Sequence, residues 1–397
     1  MVGEPVARGY AYVALSFAAF FLSYYSRLAW SVLSAYSSLR PTPYESGLVF
    51  SLFFAAYIAV QVPAGLASDA LGPRRVMVVA LGGLAASSFI AGAAGSMLVE
   101  YVGSVLMGLS AGWIYPTTVK LLSSEFSGKE LARAMGYYSL AWPFSIILLG
   151  IGLPLAAEDL GWRWGYYIIG LAAAATAAAV FILMEDVRIR GENLDLRALA
   201  NRDVALLSIG GFLFYYAYWA FAFYAYDYLR SIGMSGVLAG EIYSMTAAAG
   251  IASTILTGYL IGRFGLWRAF LISIPAYGMT ILGFAVVKAP IWLAAIALAM
   301  GFFRFMVTPA NSTLAGVIGG PGRSGSVTGA ANFFWQLSGV VAGAASPLIF
   351  TRLGYDSLWY LMSAIVFASL IPYAALRGAM SRMARGGPRA TRPADGT

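Results

Sequence analysis

The sequence predicts an all-α membrane protein: twelve transmembrane helices arranged as two pseudo-symmetric six-helix bundles. Three observations predict it. Hydrophobic residues make up 60% of the chain and charged residues 11%, whereas soluble domains run nearer a quarter charged. Apolar runs of about 20 residues, enough to cross a hydrocarbon core ~30 Å thick, recur along the whole length. The chain also answers to itself at a nearly constant spacing, as Gly65, Gly72 and Arg75 do to Gly258, Gly265 and Arg268.

The twelve spans are expected at residues 10–36, 46–68, 76–96, 98–122, 131–156, 163–184, 204–230, 237–261, 267–288, 290–315, 325–351 and 357–377. A β-barrel would show short alternating segments, and these runs do not alternate. No cleavable signal peptide is expected, because the first run is too long and lacks a small-residue cleavage site. One long charged stretch interrupts the pattern. It divides the chain into an N-terminal bundle (1–184), a linker (185–203), a C-terminal bundle (204–378) and a basic tail (379–397).

With the N-terminus inside, eighteen Lys and Arg residues fall on inner segments and five on outer ones. That bias puts both termini in the cytoplasm of a multi-pass protein of the plasma (inner) membrane. It also accounts for the net charge of +8 without nucleic acid, since the basic tail can lie against anionic lipid headgroups. The chain has no Cys and no His, which excludes disulfides, thiol chemistry and imidazole-ligated metal sites. No Gly-rich phosphate loop followed by Lys-Ser/Thr occurs, and no cofactor is expected. An enzyme would need a nucleophile, an acid–base pair or a metal site, and the sequence offers none near the midplane.

The repeat extends beyond the glycines. Phe21 to Arg27 answers to Phe212 to Tyr218, and Pro116, Gly136 and Trp142 answer to Pro309, Gly329 and Trp335. Parallel repeats of this kind place a binding site at their interface, near the bilayer midplane, with one half rocking against the other.

Two arginines stand where that site is expected. Arg27 lies about ten residues from the outer end of the first span, roughly 15 Å at 1.5 Å per residue, too deep for its side chain to reach the interface. Ser16, Phe20, Ser23, Tyr24, Ser31 and Ser34 share its helical face, and a polar stripe through an apolar helix predicts a cavity wall. Arg304 lies about as deep in the tenth span, beside Pro309 and Asn311. No acid sits at a matching depth. Two central cations without a central anion call for an anionic small-molecule substrate, held by charge-assisted hydrogen bonds. Tyr218, the repeat-mate of Arg27, should face the same cavity, with Tyr24, Trp335 and the i, i+4 pair Asn332 and Gln336 completing the lining. Asp227, near the outer end of the seventh span, is the candidate for carrying a coupled proton; the competing reading is an outer ion pair with Arg230.

The stretch Gly65-Leu66-Ala67-Ser68-Asp69-Ala70-Leu71-Gly72-Pro73-Arg74-Arg75 resembles the loop signature between helices 2 and 3 of the major facilitator superfamily. Tyr115-Pro116-Thr117-Thr118-Val119-Lys120, with Lys129 to Gly136, is similar to that superfamily's helix 4–5 junction, and Gly161-Trp162-Arg163-Trp164 to the start of its helix 6. The resemblance implies a secondary transporter in which Asp69 and Arg133 latch the cytoplasmic side, with Gly65, Gly72 and Arg75 shaping the loop. The second half departs from this, with Gly262 where the mate of Asp69 falls. Within the superfamily, the tyrosine-flanked arginine looks most like the organic anion:cation symporters, and an arginine there is also similar to organophosphate:phosphate exchangers. Ser26 stands where many such symporters have an acid, and Ser104 where proton-coupled members have an arginine. Anion exchange and proton-coupled symport therefore both stay open. The expected unit is a monomer in a lipid bilayer. The alternative is a drug or neutral-solute transporter whose arginines are structural.

Overall fold

The computed structural model describes residues 3–185, 201–320 and 323–385, and among these the chain is helical with no strand. The helices are α1 (Gly3–Leu33), α2 (Pro43–Leu71), α3 (Pro73–Gly92), α4 (Met97–Gly112), α5 (Ile114–Glu125), α6 (Gly128–Ser139) and α7 (Ala141–Asp159). They continue with α8 (Trp162–Leu183), α9 (Arg202–Ser231), α10 (Gly236–Phe264), α11 (Leu266–Val286), α12 (Pro290–Gly319), α13 (Ser324–Ala375) and α14 (Arg377–Arg385). Most of the linker and the tail beyond Arg385 lie outside the described residues.

The departures from the expected spans have local causes. The fourth and fifth spans each break in two, after Gly112 and Ser139. Pro116 and Pro143 follow four residues later, and a proline ring clashes with the carbonyl four residues before it. Conversely, the eleventh and twelfth spans merge into α13, which turns at Gly354 (φ 81°, ψ 162°). Among the described residues, ten helical segments are long and apolar enough to cross a membrane; Gly325–Ala375 counts once among them, and α1 is not among them.

Repeat-mates take the same structural place. Gly72 and Gly265, 193 residues apart, turn the chain at φ 85° and 83° between α2 and α3 and between α10 and α11. Gly161 and Gly354, at the same spacing, have φ 91° and 81°. With ψ near 150° this backbone suits glycine alone. Thr42 and Ser235, mates again, cap α2 and α10: each side-chain oxygen accepts from the N–H three residues on.

The two halves meet along two seams that are copies of one another. In the first, α2 crosses α13. A Cβ on Gly343 would lie 2.8 Å from the Gly47 carbonyl oxygen, and Ser51 Oγ donates to the Val340 carbonyl at 2.8 Å. In the second, α10 crosses α7. A Cβ on Gly150 would lie 2.6 Å from the Gly240 carbonyl oxygen, and Ser244 Oγ donates to the Ile147 carbonyl at 2.9 Å. Gly47 and Gly240, Ser51 and Ser244, Ile147 and Val340, and Gly150 and Gly343 are all mates at 193. Small residues permit this backbone contact, and the hydroxyls bond across it. Tyr36 extends the second seam, donating to Glu158 at 3.0 Å and sharing a 2.7 Å hydrogen bond with Tyr226.

Toward the other end the seams part. Gly65 lies 18 residues, five turns, beyond Gly47 and so on the same face of α2, yet a Cβ there would meet nothing within 4 Å. The same holds for its mate Gly258, for Gly329 on α13 and for Gly136 on α6, which leads into α7. Along the first seam the hydrogen bond from Asn332 Nδ2 to Gln61 Oε1, at 3.2 Å, marks where contact ends. The halves thus form a V, shut at the end away from the termini. Replacing Gly150 with Leu should wedge the second seam, at the ~1–3 kcal/mol typical of overpacking. Spin labels at Tyr44 and Thr351, whose side chains meet across the first seam, should then report longer separations. An unchanged distance distribution would show that the seams do not hold the halves together.

Candidate functional site

Arg27 is 3% exposed and Arg304 5% exposed, and each sits inside its own set of aromatic rings. The Arg27 guanidinium carbon is 4.1 Å from the centroid of the Tyr57 ring, 4.9 Å from Tyr24, 5.3 Å from Phe54 and 5.6 Å from Trp219. That of Arg304 is 3.9 Å from Tyr218, 4.4 Å from Phe305 and 5.9 Å from Tyr215. The faces of aromatic rings carry negative partial charge and hold cations. Neither arginine is ion-paired among the described residues. Arg27 Nε and Nη2 and Arg304 Nε are buried with no hydrogen-bond acceptor, and Arg304 Nη1 has a long contact of 3.4 Å with Thr308 Oγ1.

The helices place these groups by simple spacing. Tyr24 and Arg27 are i, i+3 on α1, one turn apart. Tyr215 and Tyr218 repeat that spacing on α9, and α12 brings Arg304 against them from the other side. The hydroxyls of Tyr24 and Tyr218 share a hydrogen bond of 2.5 Å, so the two arginine cages touch through one phenol pair contributed by both halves. A narrow cleft beside Arg304 runs between Tyr218, Tyr243, Tyr277 and Met300. The Tyr277 hydroxyl is buried without a partner.

The remaining predicted residues are distributed differently. Trp335 packs its indole on Gly211 and donates from Nε1 to the Leu207 carbonyl at 3.4 Å, a helix-packing role within the second half. Asn332 reaches across to Gln61, and Gln336 is partly buried one turn away. Asp227 is nine residues beyond Tyr218, roughly 13 Å along α9, and is not part of either cage. The serines of the α1 stripe are not alike: Ser16 Oγ is buried with no partner, whereas others are satisfied by carbonyls. Ser23 donates to Ala111 of α4, while Ser26 and Ser31 donate to carbonyls of their own helix, the usual way a membrane helix satisfies hydroxyls.

At the open end, Asp69 pairs with Lys120 of α5, both about a quarter exposed. Lys120 also lies 3.4 Å from the Gly65 carbonyl oxygen. Arg133, on the exposed side of α6, is not in that pair, and Arg75 is exposed on α3. Gly72 makes the turn between them.

Sequence reasoning missed Phe54, Tyr57, Trp219, Gln61 and Lys120. Trp219 follows Tyr218 directly, and Lys120 belongs to the segment already noted at the fourth helix junction. For Phe54, Tyr57 and Gln61, nothing in the sequence pointed to contact with α1 or α13.

Comparison with known proteins bears on what this arrangement serves. The chain is similar to the D-galactonate transporter of Escherichia coli O6:H1, 26% identical over 169 residues, which is 42% of this chain and 39% of the relative. It is 28% identical to the probable sulfoacetate transporter SauU of Cupriavidus necator over 154 residues, 38% of this chain and 36% of that one. It is also 26% identical to the quinolone resistance transporter of Acinetobacter baumannii over 150 residues, 35% of this chain and 34% of that one. The chain thus matches less than two-fifths of the length of these relatives. Among solved structures, the fold matches the nucleoside transporter NupG, in a mutant form, with a TM-score of 0.78 at 15% identity, over 94% of this chain and 99% of that one. It also matches a bacterial homolog of the human lysosomal transporter Spinster with a TM-score of 0.73 at 15% identity, over 96% and 99%. The model of the Major Facilitator Superfamily matches residues 15–343. With its many apolar helices the chain is a multi-pass membrane protein, and on that match it belongs to the Major Facilitator Superfamily.

Proposed function

We propose that this protein moves a small organic anion, most simply a carboxylate, across the plasma membrane by alternating access, with Arg27 as the principal anion ligand and Arg304 as the second. The observation that carries the reading is the pair of buried guanidiniums with N–H groups left without an acceptor: Nε and Nη2 of Arg27 and Nε of Arg304. A buried cation is costly unless paired and hydrogen-bonded, and ring faces supply attraction but no acceptor oxygen. An entering carboxylate supplies both. Two of the relatives carry names of anion transporters, which agrees with this reading.

The charge bias of the sequence supports both termini being cytoplasmic, the apolar runs support twelve spans, and a six-plus-six unit that is complete by itself suits a monomer. In that orientation the zipped seams close the extracellular side and the V opens inward. The Asp69–Lys120 pair then flanks the cytoplasmic mouth, where the latch with Arg133 belongs to the opposite conformation. Asp227 would sit near the sealed outer end, as an element of that closure or a proton carrier.

A second reading has one observation in its favour: the cages could be self-sufficient cation–π clusters around structural arginines, with an aromatic cavity suited to drugs or neutral solutes. The resemblance to a quinolone resistance transporter agrees with it. Counterflow in proteoliposomes, with mono- and dicarboxylates, phosphate esters, inorganic anions, a sugar and a lipophilic cation, separates the two. We expect uptake restricted to anions and reduced at least ~30-fold by Arg27→Gln, from the ~2–5 kcal/mol that losing one partner of a buried charged contact costs. Thermal stability of that variant should not fall, because a buried charge without an acceptor costs free energy to bury and the variant no longer carries it. Uptake of the sugar or the lipophilic cation, untouched by Arg27→Gln, would make the arginines structural.

Coupling is tested separately. With no acid in either cage, we expect uptake that depends on an anion in the opposite compartment and changes less than about threefold between pH 6 and 8. Uptake driven by a proton gradient with no internal anion would establish symport instead.

A further inference from the structure

Resting on the anion reading above, we infer that the substrate is a short dianion: one anionic head is bound by Arg27 and the other by Arg304, with the Tyr24–Tyr218 hydroxyl pair between them.

The four rings that hold Arg27 and the three that hold Arg304 have no member in common. A guanidinium binds a carboxylate best through two parallel N–H···O bonds. On Arg27 the unpaired Nε and Nη2 supply two such donors; on Arg304 Nε is unpaired as well. One carboxylate seated bidentately on Arg27 does not satisfy Arg304, which lies in a different cage on a helix of the other half.

Charge gives the same answer. The cages hold two positive charges, and among the described residues neither forms an ion pair. A monoanion would leave one guanidinium buried and uncompensated, whereas a dianion neutralises both. The two cages are joined by the 2.5 Å contact between the Tyr24 and Tyr218 hydroxyls. A ligand whose heads are separated by a short chain would span that contact, and the two phenols are free to turn to polar groups on the chain or to the heads themselves. The class is a dicarboxylate, or a carboxylate joined to a sulfonate or phosphonate. Because one head is bound by each half, the ligand bridges the interface about which the halves move.

The test uses the full-length protein in proteoliposomes, with competition against counterflow by matched probes: malonate, succinate, glutarate and sulfoacetate, each beside its monoamide and neutral diamide. At least one dianion should compete ~30-fold or more better than its monoamide, the range a hydrogen bond to a charged group supports. Arg304→Gln should reduce that ratio to about one, and Arg304→Lys should retain a ratio well above one, which separates loss of the second charge from misfolding. Monoamides that compete as well as every dianion would overturn the dianion while leaving anion transport intact. Diamides that compete equally, or no competition by any anion, would overturn both readings.

Discussion

A guanidinium cannot be deprotonated inside a protein, so a chain that buries one must build around a fixed positive charge. Here that constraint is met twice, and much of the centre follows from it. Each nearby ring offers on the order of 0.5–2 kcal/mol of cation–π attraction, against a desolvation penalty of several kcal/mol per ion. The cage eases the cost of burial without meeting the hydrogen-bonding demand of the N–H groups. That residual demand for acceptor oxygens is the part of the cost that the rings leave unmet.

The same constraint bears on the concentration of tyrosine and tryptophan on α1 and α9. Aromatic residues in membrane helices usually gather at the lipid–water interface or serve as packing. In this protein Tyr24, Tyr57, Tyr218 and Trp219 are instead buried near mid-helix, 1–5% exposed. They do both jobs at once, filling the space between the halves while turning their faces toward charge.

Much of this was legible in the sequence. Runs of apolar residues fixed helix positions to within a few residues, because the bilayer imposes a length and the glycines at turns impose an end. The repeat foresaw that Gly65, Gly72 and Trp142 would have structural mates. The depth of Arg27 and Arg304 followed from counting residues. What the sequence could not show was which helix faces meet. Phe54 and Tyr57 belong to Arg27 only because α2 packs beside α1, and Gln61 meets Asn332 only because α2 crosses α13. The partners of the α1 serines were hidden for a related reason: a stripe of hydroxyls looks the same whether it faces water or, as with Ser23 and Ser31, donates to carbonyls of its own and neighbouring helices. Asp69 had several basic residues within reach, and the choice of Lys120 was made by the packing of α5.

The two seams bear on how such a molecule came to exist. Gly47 packs on Gly343, and Gly150 on Gly240; shift each second-half residue back by one repeat and the two contacts become the same pair, read in opposite directions. That reciprocity defines an isologous interface, the kind through which two identical subunits join about a twofold axis. A single six-helix unit carrying one copy of the Gly-x-x-x-Ser face and one copy of its partner face would already have contained everything needed to pair with itself. The centre does not keep that symmetry: where one half has Arg27, the other has Tyr218. The seams therefore read as a twofold interface within one chain, and the arginine cages mark where its two halves differ.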